Sequence, residues 1–458
     1  MQPQIVSQLR QIVGAEYVLD GLEDRICYSI DATFRDGIPD VVVAPATVDE
    51  IVKTVQLARQ YNMPVTARGA ATGNSGGAVL RKGGICLELT RLNKIIDIDI
   101  HNKVATVEPG VITEEFVNAV SQAGLFYPPD PASAKTSTMG GNIAECAGGP
   151  RGVKYGVTRD YVLGLEVILA DGQIVEVGNQ VDSDMGGPDW TMLFVGSEGT
   201  LGIITKIFLR LIEKPKTKKT LLAIYEKLDD AAKTVSTLMA SGTIPTTLEL
   251  MDNLTIRVVE DYLKIGLPIE AEAILLIEVD GSQVAVDKQA GNVMKVCEQC
   301  GASEIQVATT AAESDKLWQA RRAVSPACGK LNPTKLAEDI TVPINQVPVM
   351  VRLIKEVAQE YALKMVVFGH AGDGNLHLNV MTNKHDHAEM ERVEVAVEKV
   401  FRAALELGGT LSGEHGIGYM KAPFLKWETG EVGFAVGQKV KQALDLQELL
   451  NPGKMFNP

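Results

Sequence analysis

From Thr47 onward the apolar residues Ile51, Val52, Val55 and Ala58 recur at helical spacing. Thr47 with Glu50 three residues later forms a capping box, so a helix is predicted to start there. The period then changes. Pro64–Arg68 and Gly84–Leu89 are short apolar runs that predict two strands, separated by the loop Gly69-Ala-Ala-Thr-Gly-Asn-Ser-Gly-Gly77. Further strands are expected at Val104–Glu108, Leu163–Ala170 and Ile203–Leu209, with a helix near Thr113–Gln122 that stops at Gly124. The polar, basic stretch Glu213–Lys219 contains a proline and marks a domain boundary. Beyond it the pattern is that of an α+β domain. Strands fall around Leu221–Tyr225, Thr246–Leu250, Ala273–Val279 and Met365–Phe368, and a helix over Ala388–Leu407 turns Val393, Val397, Val400, Phe401 and Ala404 inward before Gly408.

At 458 residues the chain exceeds one ordinary core, so two or three domains are expected. Its net charge of −14 argues against nucleic acid, whose phosphates need a basic face. No apolar run approaches the ~18 residues of a membrane span. The N-terminus lacks a basic region followed by an apolar one, so a cytoplasmic protein is expected, any membrane association arising through a partner. Six cysteines without framework spacing fit a reducing compartment, and none forms an iron–sulfur ligand set.

The loop Gly69–Gly77 lies between two strands, whereas a Rossmann nucleotide site needs a helix after its glycine turn. Its backbone N–H groups must therefore serve as the anion cradle themselves. Similar turns recur at Thr136-Ser-Thr-Met-Gly-Gly-Asn142, Ala147-Gly-Gly149 and Gly196-Ser-Glu-Gly-Thr-Leu-Gly202, which favours an extended, phosphate-bearing cofactor.

Two C-terminal stretches, Gly369-His-Ala-Gly-Asp-Gly-Asn-Leu-His377 and Ser412-Gly-Glu-His-Gly-Ile-Gly418, hold three of the chain's six histidines. His370, His377 and Glu414 would give a divalent metal (zinc, manganese or ferrous iron) three ligands and leave positions open for substrate. His415 is then the candidate general base, imidazole titrating near working pH. The bland alternative makes these histidines hydrogen-bonded core residues; Asp373 reads as a turn residue or a partner behind the ligands, not as a fourth ligand. His385 and His387 precede a helix and read as surface positions.

Arg68-Gly-Ala-Ala-Thr-Gly73, Val107-Glu-Pro-Gly-Val111, Tyr127-Pro-Pro-Asp-Pro131, Gly140-Gly-Asn142 and Gly196–Gly202 resemble the flavin domain of the vanillyl-alcohol oxidase/p-cresol methylhydroxylase superfamily. The His370/His377 and Glu414/His415 motifs resemble its D-2-hydroxyacid dehydrogenase branch, which includes D-lactate dehydrogenases and the glycolate oxidase flavin subunit. The resemblance implies an α+β fold: a two-subdomain flavin-binding domain over residues 1–214, a C-terminal α+β domain with an antiparallel sheet over 215–410, and a segment 411–458 returning to the flavin. It implies FAD, non-covalent because the first glycine loop has no histidine. The residues it assigns to the cofactor are Arg68, Gly69, Ala71, Thr72, Gly73 and Asn74; Pro129, Asp130 and Ser133; Ser137, Thr138, Gly140, Gly141, Asn142 and Ala144; Gly148; and Glu198, Gly202 and Ile203.

For the substrate carboxylate the resemblance points to Arg321, whose guanidinium fork suits a carboxylate, while Arg322 is expected to point elsewhere. Asn379, on the strand face of His377, is a candidate substrate contact. Members acting on D-2-hydroxyglutarate carry a lysine where this chain has Ala337, although Lys335 is near. The expected reaction is oxidation of a short D-2-hydroxy acid, D-lactate or glycolate, to the 2-oxo acid, with hydride passing to flavin N5. With no iron–sulfur set or second nucleotide motif, electrons must leave to an external acceptor, such as an electron-transfer flavoprotein or an iron–sulfur subunit. The alternatives are a D-2-hydroxyglutarate-type dicarboxylate dehydrogenase and a non-catalytic electron-relay subunit. An ether-lipid synthase reading fails on the missing histidine run at Ser412–Glu414.

Overall fold

The computed structural model describes residues 2–33, 36–180 and 187–456. The helix opened by Thr47 spans Val48–Gln60. Thr47 Oγ1 accepts the Glu50 N–H at 3.2 Å, while the Glu50 carboxylate accepts from Ala46 N at 2.6 Å. This helix and Pro3–Val13 cover a four-stranded sheet in the order Val18–Leu19, Val41–Val43, Ile85–Glu88, Val65–Arg68, its last three strands parallel. A second, antiparallel sheet runs Ile95–Asp99, Val104–Val107, Ile203–Arg210, Val162–Ile168, Ile174–Gly178, with Phe116 and Val120 of the helix Thr113–Gln122 packed against it. The glycine loops gather where these two sheets meet.

The C-terminal half is built on one seven-stranded antiparallel sheet. Its order is Glu304–Val307, Thr217–Tyr225, Ala273–Gly281, Thr247–Asp252, Lys364–His370, Asn375–Thr382, Thr334–Thr341. Helices cover both faces, so the central strands are nearly continuous apolar runs instead of alternating ones. Leu221, Ala223, Leu275 and Ile277 pack under the helices Leu228–Ala240 and Gln283–Gln299 on one face. Leu222, Ile224, Ile274 and Leu276 pack under Asn253–Leu263 and Ala311–Arg322 on the other.

Three elements differ from the expectation. Met139–Glu145, read as part of a turn, is a helix whose N-cap Thr138 accepts the Gly141 N–H. Its glycines are tolerated because a Cβ on Gly140 would sit 2.5 Å from Pro109, so the close approach needs glycine there. The boundary stretch is partly ordered: Ile212–Glu213 pairs with Leu125–Phe126, and a strand already begins at Thr217. Thr334–Thr341 is a strand despite Lys335, Glu338 and Asp339, which disguise its apolar pattern.

After the helix His387–Glu406 the chain leaves the large sheet, forms the helix Leu425–Leu444 and returns to the first one. Leu450 bridges Val65, and the Asn451 amide donates to the carbonyls of Gly77 and Glu198. A buried ion pair anchors this return. Lys441 Nζ reaches Asp445 Oδ2 at 2.5 Å and the carbonyls of Thr200 and Leu450, while Asp445 also accepts from the N–H groups of Leu449 and Leu450. Asp445→Ala would strand a buried ammonium and should lower stability by roughly 3–5 kcal/mol, read as a fall in the urea midpoint.

Candidate active site

His370 ends one strand of the large sheet and His377 lies in the next, joined by the tight link 371–374. Gly374 has φ +83°, and a Cβ there would meet the Val342 carbonyl at 2.0 Å, so only glycine closes this turn. The link brings His370 Nε2 within 3.4 Å of His377 Nε2. Glu414 Oε1, from the loop that follows the helix His387–Glu406, lies 3.4 Å from the first and 3.3 Å from the second. Among the described residues this is the one group of three histidine, cysteine or carboxylate side chains whose ligand atoms lie close enough to share an ion.

The electrostatics suit a cation. His370 Nδ1 sits 2.6 Å from Glu249 Oε1, so the proton belongs on Nδ1 and Nε2 is directed at the cluster. Burial alone would lower the His370 pKa, but Glu249 and Glu414 outweigh it and raise it well above the usual imidazole value. Burial outweighs the attraction of Glu414 and, with the neighbouring His370, pushes His377 well below it. Glu414 would rise on burial, yet the surrounding imidazoles bring it down to about 2. Two facing imidazole nitrogens and an ionised carboxylate, backed by Glu249, fit a divalent metal.

His415 stacks on the His377 ring, centroids 5.1 Å apart and planes 17° from parallel. Burial, only partly offset by Asp339 and Glu414, lowers its pKa, so it is neutral and able to accept a proton. Next to it opens a cavity of about 480 Å³ running to the glycine loops. Sixteen of the residues assigned to the cofactor line it: Arg68, Gly69, Ala71, Thr72, Gly73, Asn74, Ser133, Ser137, Thr138, Gly140, Gly141, Asn142, Ala144, Gly148, Glu198 and Gly202. A Cβ on Gly69 would fall 2.2 Å from Thr138 Oγ1, which is why these walls can approach so closely. The loops and their exposed N–H groups fit an extended dinucleotide.

Three assigned residues do not line the cavity. Strand alternation turns Ile203 into the core and leaves Ile204 at the wall. Asp130, behind it, pairs with Arg151 at 3.3 Å, and Pro129 is buried beside it. In return, Asp31 and Glu145 line the cavity without having been singled out. Burial and the neighbouring Glu198 carboxylate raise Glu145 well above the ordinary carboxylate range. Such residues leave no motif; a carboxylate inside Asn142-Ile-Ala-Glu145 was the one available signal.

The substrate end also differs in part. Arg321 is buried, with Nε donating to Glu249 Oε2 at 2.5 Å and its guanidinium over the Phe368 ring. Glu249 thus joins Arg321 to His370, although nothing but its charge inside Leu248-Glu-Leu250 marked it in the sequence. Arg322, expected to point elsewhere, lines the cavity, because the helix ends there and turns that side toward the loops. Lys335 lines it too, its Nζ 2.8 Å from Ser325 Oγ, whereas Ala337 does not. Asn379 is buried, its amide 3.8 Å from Cys328 Sγ, and does not line the cavity. His385 and His387 stay near the surface around the helix cap Asp386.

Known proteins resemble this chain over nearly its whole length. The FAD binding domain matches residues 39–178, and the C-terminal domain of FAD linked oxidases matches 214–455. Glycolate oxidase subunit GlcD of Bacillus subtilis is 47% identical over 453 residues, covering 99% of this chain and 96% of that one. A D-lactate dehydrogenase of Anaerostipes hadrus is 35% identical, covering 99% and 97%. The structure of p-cresol methylhydroxylase with substrate bound superposes with a TM-score of 0.81 over 99% of this chain and 96% of its own, at 18% identity. That likeness establishes the vanillyl-alcohol-oxidase-type α+β fold. The full-length identity to GlcD and the two domain matches place the chain in the family of FAD-linked oxidases.

Proposed function

We propose that this protein oxidises a short D-2-hydroxy acid, D-lactate or glycolate, to the 2-oxo acid with FAD and a divalent metal. The observation that carries the reading is the convergence of His370 Nε2, His377 Nε2 and Glu414 Oε1 beside a stacked His415 at the mouth of the flavin-family cavity. The relatives' names, a glycolate oxidase subunit and a D-lactate dehydrogenase, support the substrate class.

The reaction must break the Cα–H bond with its electron pair and the O–H bond without it, so that a C=O bond forms. Bound FAD supplies the hydride acceptor, N5, and a bound zinc, manganese or ferrous ion supplies the positive charge that acidifies the hydroxyl. His370, His377 and Glu414 hold the ion. His415 takes the hydroxyl proton at Nε2, because its Nδ1 faces Asp339 at 3.4 Å. Glu249 occupies the Nε edge of Arg321, leaving the other edge for the substrate carboxylate. Asn379 borders the same strand face as His377. Arg322 and Lys335 at the cavity wall add positive potential that draws an anionic acid in.

The electrons then pass to a partner, an electron-transfer flavoprotein or an iron–sulfur subunit; no helix among the described residues is long and apolar enough to cross a membrane. Lys335 favours a second reading, a dicarboxylate of the D-2-hydroxyglutarate type, since its ammonium could hold a distal carboxylate.

Metal-loaded protein mixed anaerobically with D-lactate, L-lactate, glycolate or D-2-hydroxyglutarate should lose its oxidised-flavin absorbance with D-lactate or glycolate. If D-2-hydroxyglutarate bleaches it fastest, the second reading replaces the first; if no acid does, a relay subunit replaces both. His415→Ala should slow flavin reduction by roughly 10²–10⁴ with metal and FAD still bound. Lys335→Ala should leave kcat for D-lactate intact and raise KM modestly for every anionic acid; under the dicarboxylate reading the rise for D-2-hydroxyglutarate should far exceed that for D-lactate.

A further inference from the structure

Asp339 is fully buried in the strand Thr334–Thr341, directly opposite His377 on the neighbouring strand. Its carboxylate gathers the loop that carries Glu414 and His415. Oδ2 accepts three consecutive backbone N–H groups, from Gly413 at 2.7 Å, Glu414 at 2.7 Å and His415 at 3.1 Å. Oδ1 accepts from Ser412 Oγ at 3.0 Å and from the buried Lys421 ammonium at 2.5 Å. The same Ser412 Oγ accepts the Gly416 N–H at 3.0 Å, closing the loop on itself.

Successive N–H groups pointing at one oxygen form an anion nest, and here the anion is a side chain of the sheet. The loop is pressed so hard onto the strands that a Cβ on Gly413 would meet Asn375 Nδ2 at 1.5 Å. Charge-assisted bonds of this kind are short and about twice as strong as neutral ones, so they fix backbone position closely. Among the described residues, Asp339 Oδ2 is the acceptor of all three N–H groups.

We propose that Asp339 is the positioning residue of the site: it sets Glu414 and His415 in register with His370 and His377 by binding the backbone between them. The role rests on the metal and general-base reading above. Asp339 touches neither substrate nor cofactor; it acts through the loop backbone and through His415, whose Nδ1 faces its Oδ1 at 3.4 Å.

The test uses flavin-loaded Asp339→Asn protein, whose side chain keeps its shape and loses its charge. Zinc is titrated against a chromophoric chelator, and turnover is measured with the acid that reduces the wild type. Zinc affinity and kcat should each fall by roughly 10–100-fold, the range for residues that orient metal ligands, while KM and flavin content stay near wild type. Ser412→Ala should show a smaller loss of the same kind that Ser412→Thr restores, which covers the case of an Asp339 variant that does not fold. Asp445→Asn serves as the control, since that carboxylate also binds a lysine and two N–H groups but lies away from the cluster. It should lower stability without moving zinc affinity or kcat. Unchanged zinc affinity and kcat in Asp339→Asn and Ser412→Ala would overturn the inference, as would equal losses in Asp445→Asn. Failure of the wild type to take up zinc would instead overturn the metal reading on which it stands.

Discussion

Residues 412–418 are held between two buried carboxylates contributed by opposite halves of the molecule. Asp339, from the large sheet, takes the N–H groups at the start of the segment. Glu198, from the flavin-side half, takes those of Ile417 at 2.7 Å and Gly418 at 2.6 Å. A backbone without regular structure cannot satisfy its own donors, and in a buried place each unpaired one costs about 1–3 kcal/mol. The two carboxylates meet that need and also fix the segment from both sides. Glu414 and His415 can therefore be placed accurately on a loop, where side chains are ordinarily less constrained than on a strand.

The rest of the site follows from the same economy of scaffold. The large sheet supplies His370, His377, Glu249 and Asp339 from adjacent strands, all of them buried. The glycine loops of the other half supply the long cavity. Chemistry is possible only where the two meet, and Gly148 marks the contact: a Cβ there would stand 2.6 Å from Glu414 Oε2. The cavity's far wall comes from other residues, Arg322, Ser325 and Lys335. Under the proposed function, recognition of the acid's tail by these residues varies without disturbing the His370, His377 and Glu414 cluster.

What the sequence disclosed depended on how unusual each residue was in its surroundings. Histidines are scarce here, so three of them among glycines stood out, and the structure brings their side chains together. The glycine loops were legible because only glycine permits such close walls, as Gly69 and Gly140 demonstrate. Buried carboxylates were harder to see. Glu249, Glu145 and Asp339 look like ordinary strand or helix charges until their neighbours are known, because what makes them matter is a partner tens or hundreds of residues away. Periodicity failed at Thr334–Thr341 for the same reason: a strand that buries charge no longer alternates. Ile203 and Ile204 show the finest limit, where a shift of one position decides which residue meets the cavity and which meets the core.

The return of the chain at Leu450 and Asn451 has a consequence for the order of assembly. The first sheet is made of residues that leave the ribosome early, yet Val65, Thr66, Gly77 and Glu198 wait for Asn451 to satisfy them. Contacts spanning 374 and 385 positions cannot form until Asn451 has been synthesised. The half synthesised first is thus the last to be completed, and its open cavity must be kept from aggregation during that interval. Vectorial synthesis therefore makes the first sheet close late, because its last partner, Asn451, follows Gly77 by 374 positions.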